Sequence, residues 1–383
     1  MRPLEDIQIK PSACAYYMFI SLMIINDGLG NSLLPGYSDG PVQQLFLLAE
    51  LGFAVLCLFL QCNSRPSLTF FAGVFGVSCA AYLFGGRTGL LLTLLAAALG
   101  RSAKADTLLK LVFWEKLFVF LLIVGLSIAG ALPGREALLE LSNAEVKGAT
   151  LGYTHANTFS ATVVMLLLLY VAINRHRLSL VQMLIVGAVE LVNYALTRSR
   201  IGLVVVFLLL VGALCVRNRW INKLVKHTSK VFLLLILLIN FGFVLLRLFA
   251  DSEMLSAVDI KVFNGRMGFS AMYLETYGIS VFGAVLDEAL IAAKSWYYAL
   301  DNGYTIILLY YGVAGLAAFL LVYQKAVLEL AKRQEIVLVL IAMCFMIWMM
   351  FEGITLTASG NFVFLLLGKE FSQAKTRNRR LAW

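Results

Sequence analysis

Long apolar runs alternate with short charged or turn-rich connections along the whole chain. The run 231–246 is apolar on every face apart from Asn240, which is typical of a lipid-facing or buried helix and not of an alternating barrel strand. We therefore predict an all-α polytopic integral membrane protein with about 12 transmembrane helices, within a range of about 10 to 13. The runs at 87–100 and 354–368 are short for a full crossing. The predicted spans are 12–26, 44–62, 68–84, 87–100, 108–132, 157–174, 180–197, 201–216, 231–249, 300–323, 335–351 and 354–368.

The composition is that of a helical membrane bundle and does not suggest an additional soluble domain. Of the 383 residues, 61% are hydrophobic and only 14% are charged, with a mean hydropathy of +0.87. A soluble domain would contain about 25% charged residues. The chain is therefore expected to be a single transmembrane domain, 1–383, without an extramembranous catalytic module. The six cysteines lie mostly within apolar runs and form no CxxC pair, so we interpret them as packing residues. No clear cleavage site follows the first run, which we interpret as a retained span.

The distribution of basic residues predicts the orientation of the bundle. If both termini are cytoplasmic, all but nine of the 31 basic residues lie on the inner side, as cytoplasmic loops require. Two external segments are then long, 133–156 and 250–300, and the second includes an aromatic, partly apolar stretch typical of interfacial helices. The function is expected to face outward. The nine outer basic residues are Arg87, Arg135, Lys147, Arg198, Arg200, Arg247, Lys261, Arg266 and Lys294.

Two arginines in the connection Thr197–Arg200 are the first candidates for a binding site. The connection is too short for a solvated loop, so both guanidiniums are expected near the outer surface, where burial without a partner is costly. They could snorkel to lipid phosphates, or they could bind a pyrophosphate through planar bidentate contacts. Because residues two apart on a helix point in nearly opposite directions, only one is expected to face the bundle. Arg266 follows the turn-prone pair Asn264–Gly265, which could fold the long loop back toward these arginines.

Candidates for a base lie at outer helix ends. Asp301 is the leading candidate and His155 the alternative, although a lone interfacial histidine is more often structural. Asn157 is a possible N-cap of the sixth span, as Asp301 or Asn302 is of the tenth. Glu352 and Asn361 could instead join helices by hydrogen bonds. The sequence contains no DxD, HExxH, GxxxxGK[ST] or GxSxG motif, so it predicts no metal site, no ATP site and no serine nucleophile, and we expect no cofactor.

Four short motifs, taken together in this order, resemble the Wzy-type polymerases of O-antigen and capsular polysaccharide, which are related to the O-antigen ligases. The last motif differs from the histidine pair that many ligases have before the asparagine, which favours a polymerase. The resemblance spans roughly 85–368. The motifs are Gly152–Asn157, Thr197–Gly202, the loop opening at Gly265–Arg266 with Tyr277–Gly278 and Phe282–Gly283, and Asp301–Tyr304 followed by Tyr311–Leu316.

The resemblance implies a metal-independent glycosyltransferase in the bacterial plasma membrane. It would join oligosaccharide repeat units of an O-antigen, capsule or exopolysaccharide, carried on undecaprenyl pyrophosphate, at the outer leaflet. Asp301 or His155 would be catalytic, the arginines 198, 200 and 266 would bind pyrophosphate, and Asn157, Asn302, Tyr304 and Glu352 would support them. Partners would be membrane lipids, a flippase and a chain-length regulator, with no nucleic acid. A ligase or a lipid-linked sugar flippase is the alternative. All six prolines precede residue 134 and no internal repeat is detectable, which weighs against a transporter.

Overall fold

The computed structural model describes residues 10–38, 40–61, 65–100, 103–132, 136–141, 144–250, 252–292 and 300–367. Arg135 and Lys294, two of the basic residues that were predicted to lie outside, are not within these ranges. The same is true of positions 293–299 in the predicted external segment 250–300 and of the basic tail after 367. The helices are α1 Pro11–Gly30, α2 Pro41–Gln61, α3 Arg65–Gly85, α4 Gly89–Leu99, α5 Ala105–Ile128, α6 Ala156–Asn174, α7 Leu180–Thr197, α8 Arg200–Cys215, α9 Arg219–Thr228, α10 Phe232–Phe249, α11 Glu253–Val258, α12 Arg266–Tyr277, α13 Glu288–Ala292, α14 Gly303–Lys332 and α15 Ile336–Trp348.

Seven of these helices are long and apolar enough to cross a membrane, which fits a polytopic membrane protein. They are α1, α2, α5, α6, α7, α10 and α14, and shorter apolar helices lie at Phe75–Gly85, Gly89–Leu99, Arg200–Cys215 and Ile336–Trp348. The predicted count of twelve is not confirmed. In particular, the predicted span 354–368 does not form a helix. Its described part contains two short 3-10 turns, Gly353–Leu356 and Phe364–Leu366, joined by irregular backbone.

This irregular segment is buried inside the bundle. Phe362 and Asn361 are fully buried. Thr93 of α4 holds the segment, since its Oγ1 accepts a hydrogen bond from the Ala358 N–H at 3.0 Å and donates to the Leu356 carbonyl at 3.4 Å. Non-helical backbone at membrane depth is tolerated only where protein covers it. An apolar composition alone therefore does not distinguish this segment from a spanning helix.

The segment 133–156, which was predicted to be external, contains a two-stranded antiparallel hairpin, an addition to the predicted all-helical fold. Its strands, β1 Glu136–Leu141 and β2 Ala144–Ala149, pair in register from Glu136 with Ala149 to Leu141 with Ala144. The chain then returns to α1, where the Thr154 N–H donates to the Asn31 carbonyl at 3.1 Å. The C-terminal end of α1 and the N-terminal end of α6 therefore lie at the same end of the bundle.

Helix α14 is broken at Gly312, although the second half of the chain has no proline. Gly312 has a φ of 70°, and a Cβ there would lie 2.3 Å from the Val281 carbonyl oxygen. The loop that follows α12 docks in this break, because the Val313 and Ala314 N–H groups donate to the carbonyls of Ser280 and Val281. Only glycine accepts both the backbone angle and the close approach. The absence of proline therefore did not exclude a discontinuous helix.

A buried ion cluster closes the opposite end of the bundle, where α6 ends. The Arg175 guanidinium lies 2.7 Å from a carboxylate oxygen of Asp106 and 2.7 Å from one of Glu335. These residues stand at or next to the ends of α6, α5 and α15. Removing one partner of such a buried pair leaves an uncompensated charge, which costs about 3 to 5 kcal/mol. The cluster therefore fixes three helices to each other at this end.

Candidate functional site

A cavity of about 310 Å³ lies between the α7–α8 turn, the α11–α12 loop and the C-terminal end of α15. We call it the arginine cavity. The structure brings all three predicted arginines to it, together with Asn157 and Glu352. Its lining residues are Asn157, Arg198, Ser199, Arg200, Ile201, Val204, Lys261, Val262, Asn264, Arg266, Ile347, Phe351 and Glu352.

Arg198 and Arg200 both line this cavity, so the expectation that they point apart is wrong. The reason is the backbone at Arg198, which has a left-handed φ of 59° and ends α7, while Arg200 begins α8. The turn is fixed by Thr197, whose Oγ1 donates to the Asn193 carbonyl at 2.8 Å and accepts from the Ser199 N–H. Within the described part of the chain neither guanidinium has a hydrogen-bond or ion-pair partner, and both are exposed. They are available to an anion.

The α11–α12 loop forms the opposite wall through a compact local structure. A π-helical turn, Asp259–Phe263, leads to Asn264 and Gly265, which both have a left-handed backbone. The buried Asp259 carboxylate accepts the N–H groups of Met267 and Gly268 at 3.1 and 2.7 Å, and so caps α12. Burial raises the pKa of Asp259, whereas these hydrogen bonds and the nearby Arg247 lower it. The reversal of the chain places Arg266 and the exposed Lys261 on the cavity.

Lys261 is the cavity residue that sequence reasoning missed as part of the site. Its ammonium group is exposed and, among the described residues, has no ion-pair partner. The only signal was its place among the nine outer basic residues. Lys261 is far from Arg200 in the sequence, so nothing indicated that they would line the same cavity. The π-helical turn that brings Lys261 to the cavity has no sequence signature of its own.

Arg266 lies between two carboxylates at the inner wall of the cavity. Its Nη2 is 3.1 Å from Glu352 Oε1 and 3.3 Å from Asp301 Oδ2, and its side chain is 10% exposed. Burial raises the pKa of Glu352 to about 7, the Arg266 guanidinium lowers it, and Asp301 raises it. Glu352 lines the cavity directly, whereas Asp301 reaches it only through Arg266. The two carboxylates therefore differ in their access to a bound molecule.

The remaining predicted residues have structural surroundings. Asn302 is the N-cap of α14, since its Oδ1 accepts from the Thr305 N–H at 3.1 Å, and its Nδ2 donates to Asn240 Oδ1 at 2.7 Å. The Tyr304 hydroxyl donates to the Met346 carbonyl at 2.9 Å and is fully buried. His155 is exposed and does not line the cavity. It occupies the N-cap position of α6, so the expected cap Asn157 instead lies in the first turn and faces the cavity.

The charges at the cavity favour an anionic ligand. Four cations, Arg198, Arg200, Lys261 and Arg266, face or border it, whereas Glu352 and Asp301 together neutralise mainly Arg266. Among the described residues no three His, Cys, Asp or Glu side chains are placed to hold a metal ion. The free guanidiniums can bind the oxygens of a phosphate or pyrophosphate through planar, charge-assisted hydrogen bonds. No family model, no curated protein and no solved structure matches the chain.

Proposed function

We propose that this protein is a bacterial polysaccharide polymerase of the plasma membrane, which joins undecaprenyl pyrophosphate-linked oligosaccharide units at the outer leaflet. The observation that supports it most is the pair Arg198 and Arg200, which have no ion-pair partner among the described residues and line one cavity with Lys261 at the bundle end. A pyrophosphate leaving group develops negative charge as the glycosidic bond breaks. Preorganised cations stabilise that charge without a metal ion.

The transfer step needs a base for the acceptor hydroxyl. The hydroxyl oxygen attacks the anomeric carbon, the bond from that carbon to the pyrophosphate oxygen breaks, and the hydroxyl proton passes to a carboxylate. We assign this role to Glu352 in preference to Asp301 and His155, because Glu352 alone of the three lines the cavity. Its pKa of about 7 is near the value that suits a general base at neutral pH.

An apolar groove suits the polyprenyl chain of the donor. It has a volume of about 380 Å³ and lies between α5, α6 and α7, with Phe159 and Leu196 among its lining residues. Leu196 is two residues from Arg198, and Phe159 is two residues from Asn157, both of which line the arginine cavity. A lipid tail in the groove would therefore present its headgroup next to the arginines.

The experiment compares lysine variants of the cavity arginines in a strain that lacks the chromosomal copy. Arg198→Lys and Arg200→Lys keep the positive charge but lose the planar guanidinium group, which can donate two parallel hydrogen bonds to a phosphate. We therefore expect shorter polymers at matched protein level. Arg219→Lys is the matched control, since Arg219 is an exposed arginine of α9 at the opposite end. Normal length distributions from both cavity variants would refute the pyrophosphate site.

A lipid-linked sugar flippase is the second candidate, favoured by the break of α14 at Gly312. Discontinuous helices are common in transporters. The lipid-linked glycans of the deletion strain distinguish the candidates. Single repeat units outside the membrane indicate a polymerase, units trapped inside indicate a flippase, and long carrier-bound chains indicate a ligase.

A further inference from the structure

A second cavity, of about 300 Å³, lies between α1, α2, the N-terminal end of α4 and the buried segment 353–367. We call it the acidic cavity. It opens at the same end of the bundle as the arginine cavity. Nine of its thirteen lining residues are polar, and they include two carboxylates, Asp27 and Glu50, but no lysine, arginine or histidine. Its charge is therefore opposite to that of the arginine cavity.

Glu50 supplies a buried acceptor that no group of the described residues satisfies. It is 1% exposed, and its Oε1 accepts from Asn26 Nδ2 at 2.6 Å. Asn26 is itself held by the Tyr37 hydroxyl, which donates to its Oδ1 at 3.0 Å. The second oxygen, Oε2, is buried and has no hydrogen-bond partner within the described part of the chain, and Glu50 lines the cavity. A buried carboxylate oxygen of this kind is costly unless a donor reaches it.

The chain segment 352–360 joins the two cavities. It begins with Glu352 on the arginine cavity and continues to Thr357 and Ser359 on the acidic cavity. Thr93, which also lines the acidic cavity, holds the middle of the segment through two hydrogen bonds. A narrow gap beside the acidic cavity is lined by Asp27, Lys116 and Ile354. The segment 352–360 therefore contributes residues to both cavities.

We propose that the acidic cavity binds a saccharide through its hydroxyl groups. A sugar offers many neutral donors, which carboxylate, amide and threonine oxygens accept, whereas a phosphate would meet no cation among the described residues that line the cavity. The volume suits one or two sugar rings. The further assignment, that this saccharide is the acceptor glycan and lies next to a donor pyrophosphate at the arginines, rests on the proposed function. The proposal that the acidic cavity binds a saccharide does not depend on that function.

Saturation-transfer NMR on the purified full chain in detergent tests the binding. The probes are the methyl glycosides of glucose, galactose, mannose, rhamnose and N-acetylglucosamine, with inorganic pyrophosphate measured in parallel. We expect at least one glycoside to bind the wild type, and Glu50→Gln to weaken it by about tenfold or more, because a free acceptor becomes a donor. Thr88→Val is a second variant that removes one lining hydroxyl. Glu275→Gln, an exposed carboxylate on α12, is the matched control.

The outcomes separate this proposal from the proposed function. Glycoside binding that Glu50→Gln and Thr88→Val weaken and Arg200→Lys preserves supports the acidic cavity as the site. The saccharide proposal is overturned if no glycoside gives a signal, or if both acidic-cavity variants leave the glycoside signal unchanged. Either result would overturn it even if pyrophosphate binds and Arg200→Lys abolishes pyrophosphate binding. Calcium that raises the thermal midpoint of the wild type but not of Glu50→Gln would also overturn it, in favour of a cation site. Glycoside binding in a protein whose deletion leaves polymer length unchanged would retain the saccharide site and remove the polymerase.

Discussion

Replacing Arg266 should destabilise the protein in a way that depends on pH and on Glu352. The Arg266→Met variant removes the cation between Glu352 and Asp301, whose nearest oxygens lie 3.1 and 3.3 Å from Nη2. Both carboxylates then face each other in a site where the Glu352 side chain is only 13% exposed. Breaking a buried pair in this way costs about 3 to 5 kcal/mol. The loss should be largest at pH 8, above the pKa of about 7 of Glu352.

The pH dependence follows from the direction of the pKa shift. The pKa of Glu352 is raised from 4.5 to about 7 in the folded chain. A raised carboxyl pKa means that the folded state gains stability as pH falls from about 7 toward 4.5, by roughly 3 kcal/mol at most, and loses it as pH rises. Without Arg266 the pKa of Glu352 should rise further. The midpoint of Arg266→Met should therefore recover between pH 8 and pH 5.

The assay is the thermal midpoint of the purified protein in detergent at pH 5, 6, 7 and 8. We expect Arg266→Met to lower it at pH 8 by on the order of 5 to 10 °C. The double variant Arg266→Met/Glu352→Gln should regain most of this loss, because no uncompensated glutamate remains. Arg198→Met is the matched control in the same cavity, and its midpoint should be unchanged. An Arg266→Met midpoint equal to the wild type at pH 8, or no recovery in the double variant, would refute the reasoning.

Three further predictions follow from the same geometry. Glu352→Gln should reduce the chain-extension rate by about a thousandfold. His155→Ala should leave the distribution of polymer lengths near normal, because His155 lies outside the cavity. A normal length distribution from Glu352→Gln at matched expression would eliminate Glu352 as the base. Gly268→Ala should lower the thermal midpoint, since its Cβ would lie 3.0 Å from Asp259 Oδ2 and 3.4 Å from Arg247, and Gly242→Ala, which meets nothing within 4 Å, serves as the control. A cysteine at position 261, on a background without the native cysteines, should react with an impermeant thiol reagent added outside the cell, and labelling only from the cytoplasm would reverse the predicted orientation.

Much of the helical framework could be predicted because apolar runs and their charged ends are local features of the sequence. The run 157–174 corresponds to α6, Ala156–Asn174, and the run 180–197 to α7, Leu180–Thr197. The segment after α15 could not be predicted in the same way. It is apolar enough for a span, but its backbone is fixed by contacts such as the hydrogen bonds of Thr93, which is more than 250 residues earlier in the chain.

The candidate site was predictable in its components and less so in its arrangement. A short connection with two arginines and a turn-prone Asn264–Gly265 pair were visible in the sequence. The left-handed backbone at Arg198 was not, because a non-glycine residue rarely adopts it, and so the two arginines were expected to point apart. The choice between Asp301 and Glu352 also depends on which carboxylate reaches the cavity past Arg266, a long-range contact that no local pattern determines.

Helix α15 carries a carboxylate at each end, and each one neutralises a buried arginine. Glu335 precedes the helix and pairs with Arg175, while Glu352 follows it and pairs with Arg266. Helix α15, Ile336–Trp348, has 13 residues and a rise of roughly 20 Å, and it separates the two ion pairs. A shift of α15 along its own axis would therefore break an ion pair at one end or the other. Because α15 supplies one carboxylate to each of these arginines, its position along the axis sets the register between the two ends of the bundle.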